Sequence, residues 1–307
     1  MSEDSFYILT VNPFGVFRFS FDGSLISTIS VEGRAEGEYL IPTDIAYSRK
    51  DNVLYIADIA KGIMKFSSDG AYLSTVSSTT NYKNRQFVIS DSGTIIENVL
   101  NVTGREQDAI VELSQEGDTL NYVPNKFMFD CVTPVAIPYH HSLRKYADEV
   151  LYNPACCDTI YSYHSGQLTP KYSFSFPHHV TKEDLRDFDS NISDTQFLME
   201  YAENGKNLYL SIFDGSWAYK HYVLRKSDGN IFRGDFRLSD SFNTEFSPRW
   251  QSEGWLIDVF DPSTINYAYS KDITEDARQK AYSYLHSVGV EGITMESAPI
   301  IMLTRAK

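Results

Sequence analysis

The stretch VFRFSFDG at residues 16–23 recurs without gaps as IMKFSSDG at 63–70 and as IVELSQEG at 110–117. Each copy starts 47 residues after the one before it. Every copy alternates apolar and polar residues and ends in an acidic residue followed by glycine. This pair favours a tight hairpin, because glycine takes a positive φ without a steric penalty. The spacing matches one four-stranded blade of a β-propeller.

Weaker copies of the repeat continue along the chain. The fourth is IYSYHSGQL at 160–168, the fifth is YVLRKSDG at 222–229, and the sixth begins with GWLIDVF at 254–260. The second half of the sixth copy is displaced towards the C-terminus. Blade one starts at its second strand, and the strand at 299–305 closes the ring by joining either blade one or blade six. We therefore predict one all-β domain over residues 1–307, a six-bladed β-propeller.

Two stretches depart from the β pattern and predict short helical insertions. Residues 181–201 open with Thr181 as an N-cap and show helical spacing at Phe197, Leu198 and Tyr201. Residues 274–287 open in the same way and carry acidic residues in the first turn.

Composition excludes several classes of protein. The formal net charge is −14, and no cluster of Lys and Arg reverses it locally, so nucleic acid is not an expected partner. No apolar run is long enough to span a membrane. The three cysteines are Cys131, Cys156 and Cys157; we expect free thiols, the alternative being a strained disulfide between the adjacent pair. We expect a monomer without cofactor or metal.

Several motifs carry a resemblance to a known family. GRAEGEYLIPTDIA at 33–46 resembles the G-x-G-P-G-E-Y…P…D-x-A loop of the TolB-like and NHL-like six-bladed propellers of Bacteroidetes. LYIAD at 54–58, DTIY at 158–161, GQLTPKY at 166–172 and SAPIIMLTRAK at 297–307 are similar to later motifs of these proteins. Ala35-Glu36 replaces the family's Gly-Pro, and Ala298 replaces its Asn.

The resemblance implies a location and a class more than an activity, because fold does not determine function. Most such proteins are lipoproteins of the periplasm or cell surface without an assigned reaction. The resemblance thus implies that a lipidated cysteine precedes Ser2 in the native protein. We expect the protein to contact a membrane only through that lipid anchor.

The loops that join second to third strands are the predicted ligand-binding surface. These connections share one face of a propeller, and loops on a rigid scaffold vary without harm to the core. Phe14, Trp217 and Tyr219 could stack on a ligand, while Lys61, Arg105 and Lys220 could pair with anionic groups. Asp58 and Asp158 belong to the same loops. Packing of Trp217 against a neighbouring blade is the alternative for that residue.

The predicted function is non-catalytic recognition of a peptide, a protein or a glycan. The chain has no G-x-S-x-G, H-E-x-x-H or P-loop motif. The alternative is a metal-dependent, lactonase-like hydrolase or lyase with a site in the central channel. Asp58, Asp108, Asp158 and Asp214 recur near equivalent loop positions, which turn formation also explains. His140-His141 and His178-His179 each offer at most one ligand to one site.

Overall fold

The acidic–glycine turns of the repeat are tight hairpins in the computed structural model of the chain. Gly23, Gly70 and Gly117 have φ values of 90°, 96° and 99°. Their amides donate to Ser20 O at 3.0 Å, Ser67 O at 3.0 Å and Ser114 O at 3.2 Å. The positive φ that the repeat predicts at these three positions is therefore confirmed.

The structure describes most of the chain, with gaps. The described residues are 1–2, 4–11, 13–76, 85–101, 103–131, 142–215, 219–233, 237–239, 242–245, 248–252, 254–260, 283 and 300–305. They divide into two compact units, Met1–Phe197 and Leu198–Lys307.

The first unit contains four antiparallel sheets in chain order. The first sheet has three strands, because the repeat enters it at its second strand, and the next three have four strands each. The strands of the first two sheets are β1 (Ser5–Val11), β2 (Phe14–Ser20), β3 (Leu25–Thr28), β4 (Pro42–Ser48), β5 (Val53–Asp58), β6 (Gly62–Ser67) and β7 (Tyr72–Val76). Those of the next two are β8 (Arg85–Ile89), β9 (Ile95–Val99), β10 (Asp108–Leu113), β11 (Thr119–Pro124), β12 (Leu143–Tyr146), β13 (Glu149–Tyr152), β14 (Thr159–His164) and β15 (Gln167–Ser173).

The second unit contains the sixth sheet, a separate hairpin and the fifth sheet except for its first residue, Phe197. The fifth sheet is β16 (Phe197–Glu203), β17 (Asn207–Phe213), β18 (Tyr219–Arg225) and β19 (Ile231–Arg233). The hairpin is β20 (Arg237–Ser239) and β21 (Phe242–Glu245). The sixth sheet is β22 (Trp250–Ser252), β23 (Trp255–Phe260) and β24 (Ile300–Arg305). The C-terminal strand thus pairs with β23 in the sixth sheet, which settles the alternative left open by the sequence.

The first predicted helical insertion is shorter than expected. Thr181 caps a helix, α1 (Lys182–Arg186), through a capping box in which Thr181 and Asp184 bond to each other's backbone amides. A second short helix, α2 (Phe188–Asn191), and a 3-10 turn at Ile192–Asp194 follow. The prediction of helix at 197–201 is wrong, because these residues form the start of β16. The second predicted insertion, 274–287, lies outside the described residues apart from Ser283.

The core of the first unit lies between successive sheets, where apolar faces meet. One cluster joins the first two sheets around Val16, Tyr39 and Leu54. A second joins the second and third sheets around Tyr55 and Val111, and a third joins the third and fourth around Ile110 and Tyr163. Tyr39 belongs to the GEY motif of the 33–46 loop and is 1% exposed, so part of that motif serves packing.

Candidate functional site

The candidate site lies at one edge of the sheets of the first unit. Successive strands are antiparallel, so every connection from a second to a third strand, or from a fourth strand to the next first strand, returns to the same edge. The described parts of four connections of this kind lie beside the third and fourth sheets: 100–107 without residue 102, 125–131, 153–158 and 174–196. They bring residues that are distant in sequence to one place.

A cleft of about 190 Å³ lies among these connections. Its apolar wall includes Phe127, Phe129, Tyr152, Phe176 and Leu185, and its polar wall includes Asn98, Asn101, Asn125, Cys157 and Asp158. Phe129 and Tyr152 are buried, and Phe127 and Phe176 are partly exposed. The cleft is thus a narrow, largely apolar pocket with amide groups in its wall.

Side-chain amides hold the wall of the cleft together. Asn125 Nδ2 donates to Glu106 O at 2.8 Å, and its Oδ1 accepts from Phe127 N at 2.9 Å. Asn101 Nδ2 donates to Phe127 O at 3.0 Å. Asn101 Oδ1 is buried and, among the described residues, has no hydrogen-bond partner. A buried acceptor without a partner lowers the stability of the fold by about 1–3 kcal/mol. A ligand donor that reached Asn101 Oδ1 would therefore form an unusually favourable hydrogen bond.

Two free thiols, Cys156 and Cys157, lie on another part of the wall. They sit in a turn closed by a bond of 3.0 Å from Cys157 N to Pro154 O, in which Cys156 takes a φ of 58°. Burial raises the pKa of the Cys157 thiol to about 11 and raises the pKa of Cys156 as well. Both groups are therefore protonated near neutral pH and are poor nucleophiles.

Three exposed cationic or titratable side chains border the cleft: Lys126, His179 and Lys182. Within the ranges that the structure covers, none of the three has an ion pair or a side-chain hydrogen bond. His179 is held in place through its backbone, because residue 179 forms an isolated parallel bridge with Gln196. The preceding carbonyl, His178 O, accepts from Gln196 N at 2.6 Å.

Of the residues predicted from the sequence, only Asp158 lines this cleft. Its Oδ1 accepts from Thr159 Oγ1 at 2.9 Å and lies 3.9 Å from Cys157 Sγ. Trp217 lies outside the described residues. Asp108 and Asp158 lie at the start of third strands, whereas Asp58 and Asp214 lie at the ends of second strands, so the four aspartates are not equivalent positions.

Asp58 and Lys61 hold loops together. Asp58 is fully buried; its Oδ2 accepts from Leu40 N and Ile41 N, both at 2.7 Å. Its Oδ1 accepts from Ala60 N at 2.8 Å and Lys61 N at 2.9 Å. Lys61 Nζ donates to Ala35 O at 2.7 Å and also to Glu38 O. The Asp58 carboxylate therefore has its acceptor positions filled, and both side chains have structural roles.

The other predicted residues are also engaged or lie elsewhere. Arg105 forms an exposed ion pair with Asp130 at 3.0 Å, and Lys220 pairs with Asp214 at 2.9 Å. Tyr219 is exposed, and its ring meets that of Phe213 edge-on at 6.4 Å between centroids. Phe14 packs, partly buried, against the cluster between the first two sheets.

A metal centre does not emerge from the described part of the chain, which contains no group of three or more His, Cys, Asp or Glu side chains arranged to hold an ion. His140 and His141 fall outside that part. Within the same ranges, every helix falls short of the length and hydrophobicity that a bilayer crossing requires.

Gly104 supports the cleft by a close backbone approach. It has a φ of +75°, and a Cβ placed there would lie 2.2 Å from Phe129 O. We expect Gly104→Ala to lower the free energy of unfolding by about 2 kcal/mol, since both strain and overpacking act against it. Urea denaturation measures this loss. Gly229→Ala is the matched control, because Gly229 also has positive φ (+72°) but nothing lies within 4 Å. Equal losses in the two variants would contradict the steric role of Gly104.

Six successive antiparallel sheets with a repeated third-to-fourth-strand hairpin define an all-β protein of the six-bladed β-propeller class, as the repeat predicts. The family follows from the sequence itself. The family model named Domain of unknown function (DUF4934) matches residues 1–305, so the chain belongs to this family. None of the curated proteins matches the chain.

Solved structures show likeness in fold. A presumed exported protein from Bacteroides fragilis superposes with a TM-score of 0.76 at 15% identity, covering 100% of this chain and 89% of its own. A catalytically inactive virginiamycin B lyase from Staphylococcus aureus reaches a TM-score of 0.44 at 10% identity, covering 78% and 72%. A protein of unknown function from Bacteroides caccae reaches 0.43 at 13% identity, covering 79% and 77%. At these identities the first likeness concerns the fold alone, and the other two are too distant to inform function.

Proposed function

We propose that this protein is a non-catalytic binding module that recognises a peptide, a protein or a glycan at one edge of its sheets. The observation that carries the proposal is the narrow cleft lined by residues of 98–101, 125–129, 152–158 and 176–196. Pockets lined mostly by apolar side chains with a few placed polar groups are typical of binding sites. The chemistry present here consists of amides, aromatic rings and protonated thiols, which suits recognition.

The proposed setting is outside the cytoplasm. The presumed exported protein of Bacteroides fragilis supports export, since this chain superposes over its full length on that fold. Resemblance to the TolB-like and NHL-like propellers supports a lipid-anchored form in the periplasm or at the cell surface. Determining the N-terminal processing of the native protein, by mass spectrometry of the mature form, tests this setting.

Filling the cleft should abolish binding. Ala155 lines the cleft with a small side chain, so Ala155→Trp would place a large ring where a ligand group would insert. We expect wild-type protein to bind members of a combined peptide and glycan array and Ala155→Trp to bind them roughly tenfold more weakly or worse. Titration of each hit by fluorescence polarisation or calorimetry measures the ratio.

Ala60→Trp is the matched control for that experiment. Ala60 is exposed and lies in the second-to-third-strand connection of the second sheet, away from the cleft. It should retain wild-type affinity, and thermal melting should show that both variants fold. Array hits that bind Ala155→Trp as tightly as wild type would rule out the cleft as the binding site.

A further inference from the structure

The charge around the cleft is opposite to that of the whole chain. The chain has 41 acidic and 27 basic residues, yet the cleft is bordered by Lys126, Lys182 and His179 against the single carboxylate of Asp158. That carboxylate already accepts a hydrogen bond from Thr159. The cleft is thus a locally cationic site on an acidic protein.

Among the described residues, no carboxylate forms an ion pair with Lys126 or Lys182. On α1, Asp184 bonds to Thr181, and Glu183 pairs with Arg186 at 3.8 Å. Asp130 pairs with Arg105 at 3.0 Å. Within the described part of the chain, the Lys126 and Lys182 ammonium groups are therefore available to carboxylates of a ligand.

The size and lining of the cleft indicate what part of a ligand enters it. At about 190 Å³ it is smaller than the roughly 300–1,000 Å³ of small-molecule sites. Phe129 is 8% exposed and Tyr152 is 4% exposed, so among the aromatic rings of the wall only Phe127 and Phe176 are partly open. Asn125 has both ends of its amide engaged within the protein. Among the described residues of the wall, Asn101 Oδ1 is the one buried side-chain acceptor without a partner, which is too little for the many hydroxyls of a buried sugar, whereas one apolar side chain needs none.

We propose that the ligand is an acidic peptide segment that inserts one large apolar side chain into the cleft and places its carboxylates beside Lys126, His179 and Lys182. This inference rests on the proposed function and names its ligand class. Burial of the apolar side chain would supply most of the affinity, and the rim charges would select acidic sequences and speed association.

The test uses a fluorescein-labelled, acetylated peptide of sequence Glu-Glu-Phe-Glu-Glu, titrated with the full chain by fluorescence polarisation. We expect saturable binding that weakens with added salt. Replacing the central Phe by Ala should weaken binding about tenfold or more, because the apolar anchor is lost. The neutral peptide Gln-Gln-Phe-Gln-Gln should bind several-fold more weakly. Absence of saturable binding to the acidic peptide, or equal binding of the neutral one, would overturn the proposal.

Charge reversal locates the acidic peptide on the protein. Lys126→Glu with Lys182→Glu should weaken binding about tenfold, since two attractions become repulsions. Lys50→Glu with Lys206→Glu is the matched control. Both of its lysines are exposed and lie in connections between first and second strands, at the other edge of their sheets. It changes the net charge equally and should keep wild-type affinity apart from a small general repulsion. Equal losses in the two double variants would also overturn the proposal.

Ala155→Trp separates failure of this inference from failure of the proposed function. A glycan or neutral peptide that binds wild type but not Ala155→Trp would refute the acidic ligand while the cleft remains the binding site. No array hit sensitive to Ala155→Trp, together with no acidic-peptide binding, would refute both.

Discussion

Asp58→Ala is expected to lower the free energy of unfolding by about 4 kcal/mol. The substitution removes the acceptor of four backbone amides, those of Leu40, Ile41, Ala60 and Lys61. Each buried amide that loses its partner costs about 1–3 kcal/mol, and partial relaxation of the loops limits the sum. The loss should appear in urea denaturation as a lower midpoint with an unchanged slope.

Two further variants test whether that loss of stability comes from the buried acceptor. Asp58→Asn keeps one carbonyl acceptor and should be intermediate. Asp69→Ala removes an exposed aspartate from an acidic–glycine turn, where its partner is the hydroxyl of Ser67, and should cost much less. If Asp58→Ala proved no more destabilising than Asp69→Ala, the four hydrogen bonds from backbone amides to the Asp58 carboxylate would not stabilise the fold.

Asp44 should make stability fall as pH rises through the weakly acidic range. Its carboxylate accepts from Phe87 N at 3.1 Å and Ile45 N at 2.8 Å, and so ties β4 to β8. Burial raises the pKa of Asp44 to about 7, against the opposing effects of these amides and of Arg144. The unfolded chain releases the same proton near pH 4, at about the model-peptide value.

The direction of this dependence follows from proton binding. Between about pH 4 and about pH 7 the folded state holds a proton that the unfolded state has released, so rising pH favours unfolding. Below that window the contribution of Asp44 is fully present, and above it the contribution is lost. Asp44→Asn cannot ionise. Its stability relative to wild type should therefore rise by about 3 kcal/mol from about pH 4 to about pH 8.

Denaturation of both proteins across that range measures the difference and cancels the other titrating groups. Asp69→Asn is the contrasting variant. The Ser67 hydroxyl lowers the pKa of the Asp69 carboxyl, so the stability gained from Asp69 is lost only below about pH 4, and the relative stability of Asp69→Asn should change little across this range. A relative stability of Asp44→Asn that does not change with pH would contradict the role assigned to burial.

The repeat in the sequence predicts the sheets because its signal is local. Gly23, Gly70 and Gly117 each end a strand of alternating residues, and hairpin geometry depends on little beyond those positions. The same pattern finds weaker copies at Gly166 and Gly229, whose φ values are 80° and 72°. The β-propeller class and the order of the sheets along the chain could therefore be predicted from the sequence.

The predicted helix at 197–201 fails for a physical reason. Six of the seven residues of β16 are buried, and its burial pattern does not alternate. A strand covered on both sides has no two-residue period, and a short apolar run of this kind looks like a buried helix in sequence.

The cleft could not be predicted from the repeat. Its walls come from 125–129, 152–158 and 176–185, where the copies differ most from one another, and its closure depends on contacts such as Phe129 N to Gly104 O at 3.0 Å. The predicted cations Lys61, Arg105 and Lys220 are all engaged. Lys126 and Lys182, which have no ion pair among the described residues, lie in connections between blades, where the sequence indicated only the helix cap at Thr181. Aromatic residues flanking those connections, Phe127, Phe129, Phe174 and Phe176, are the one signal that could have indicated them.

The pairing of β23 with β24, which lies at the C-terminal end of the chain, has a consequence for the order of folding. Hairpins in the first five sheets join strands across a few residues, whereas Phe260 meets Ile300 across the whole of residues 261–299. A loop about ten times longer than a four-residue hairpin costs about 2 kcal/mol more in closure entropy. Contacts between distant residues also form slowly. The sixth sheet should therefore be the last to form, and during synthesis it cannot be completed until the final residues of the repeat have been translated.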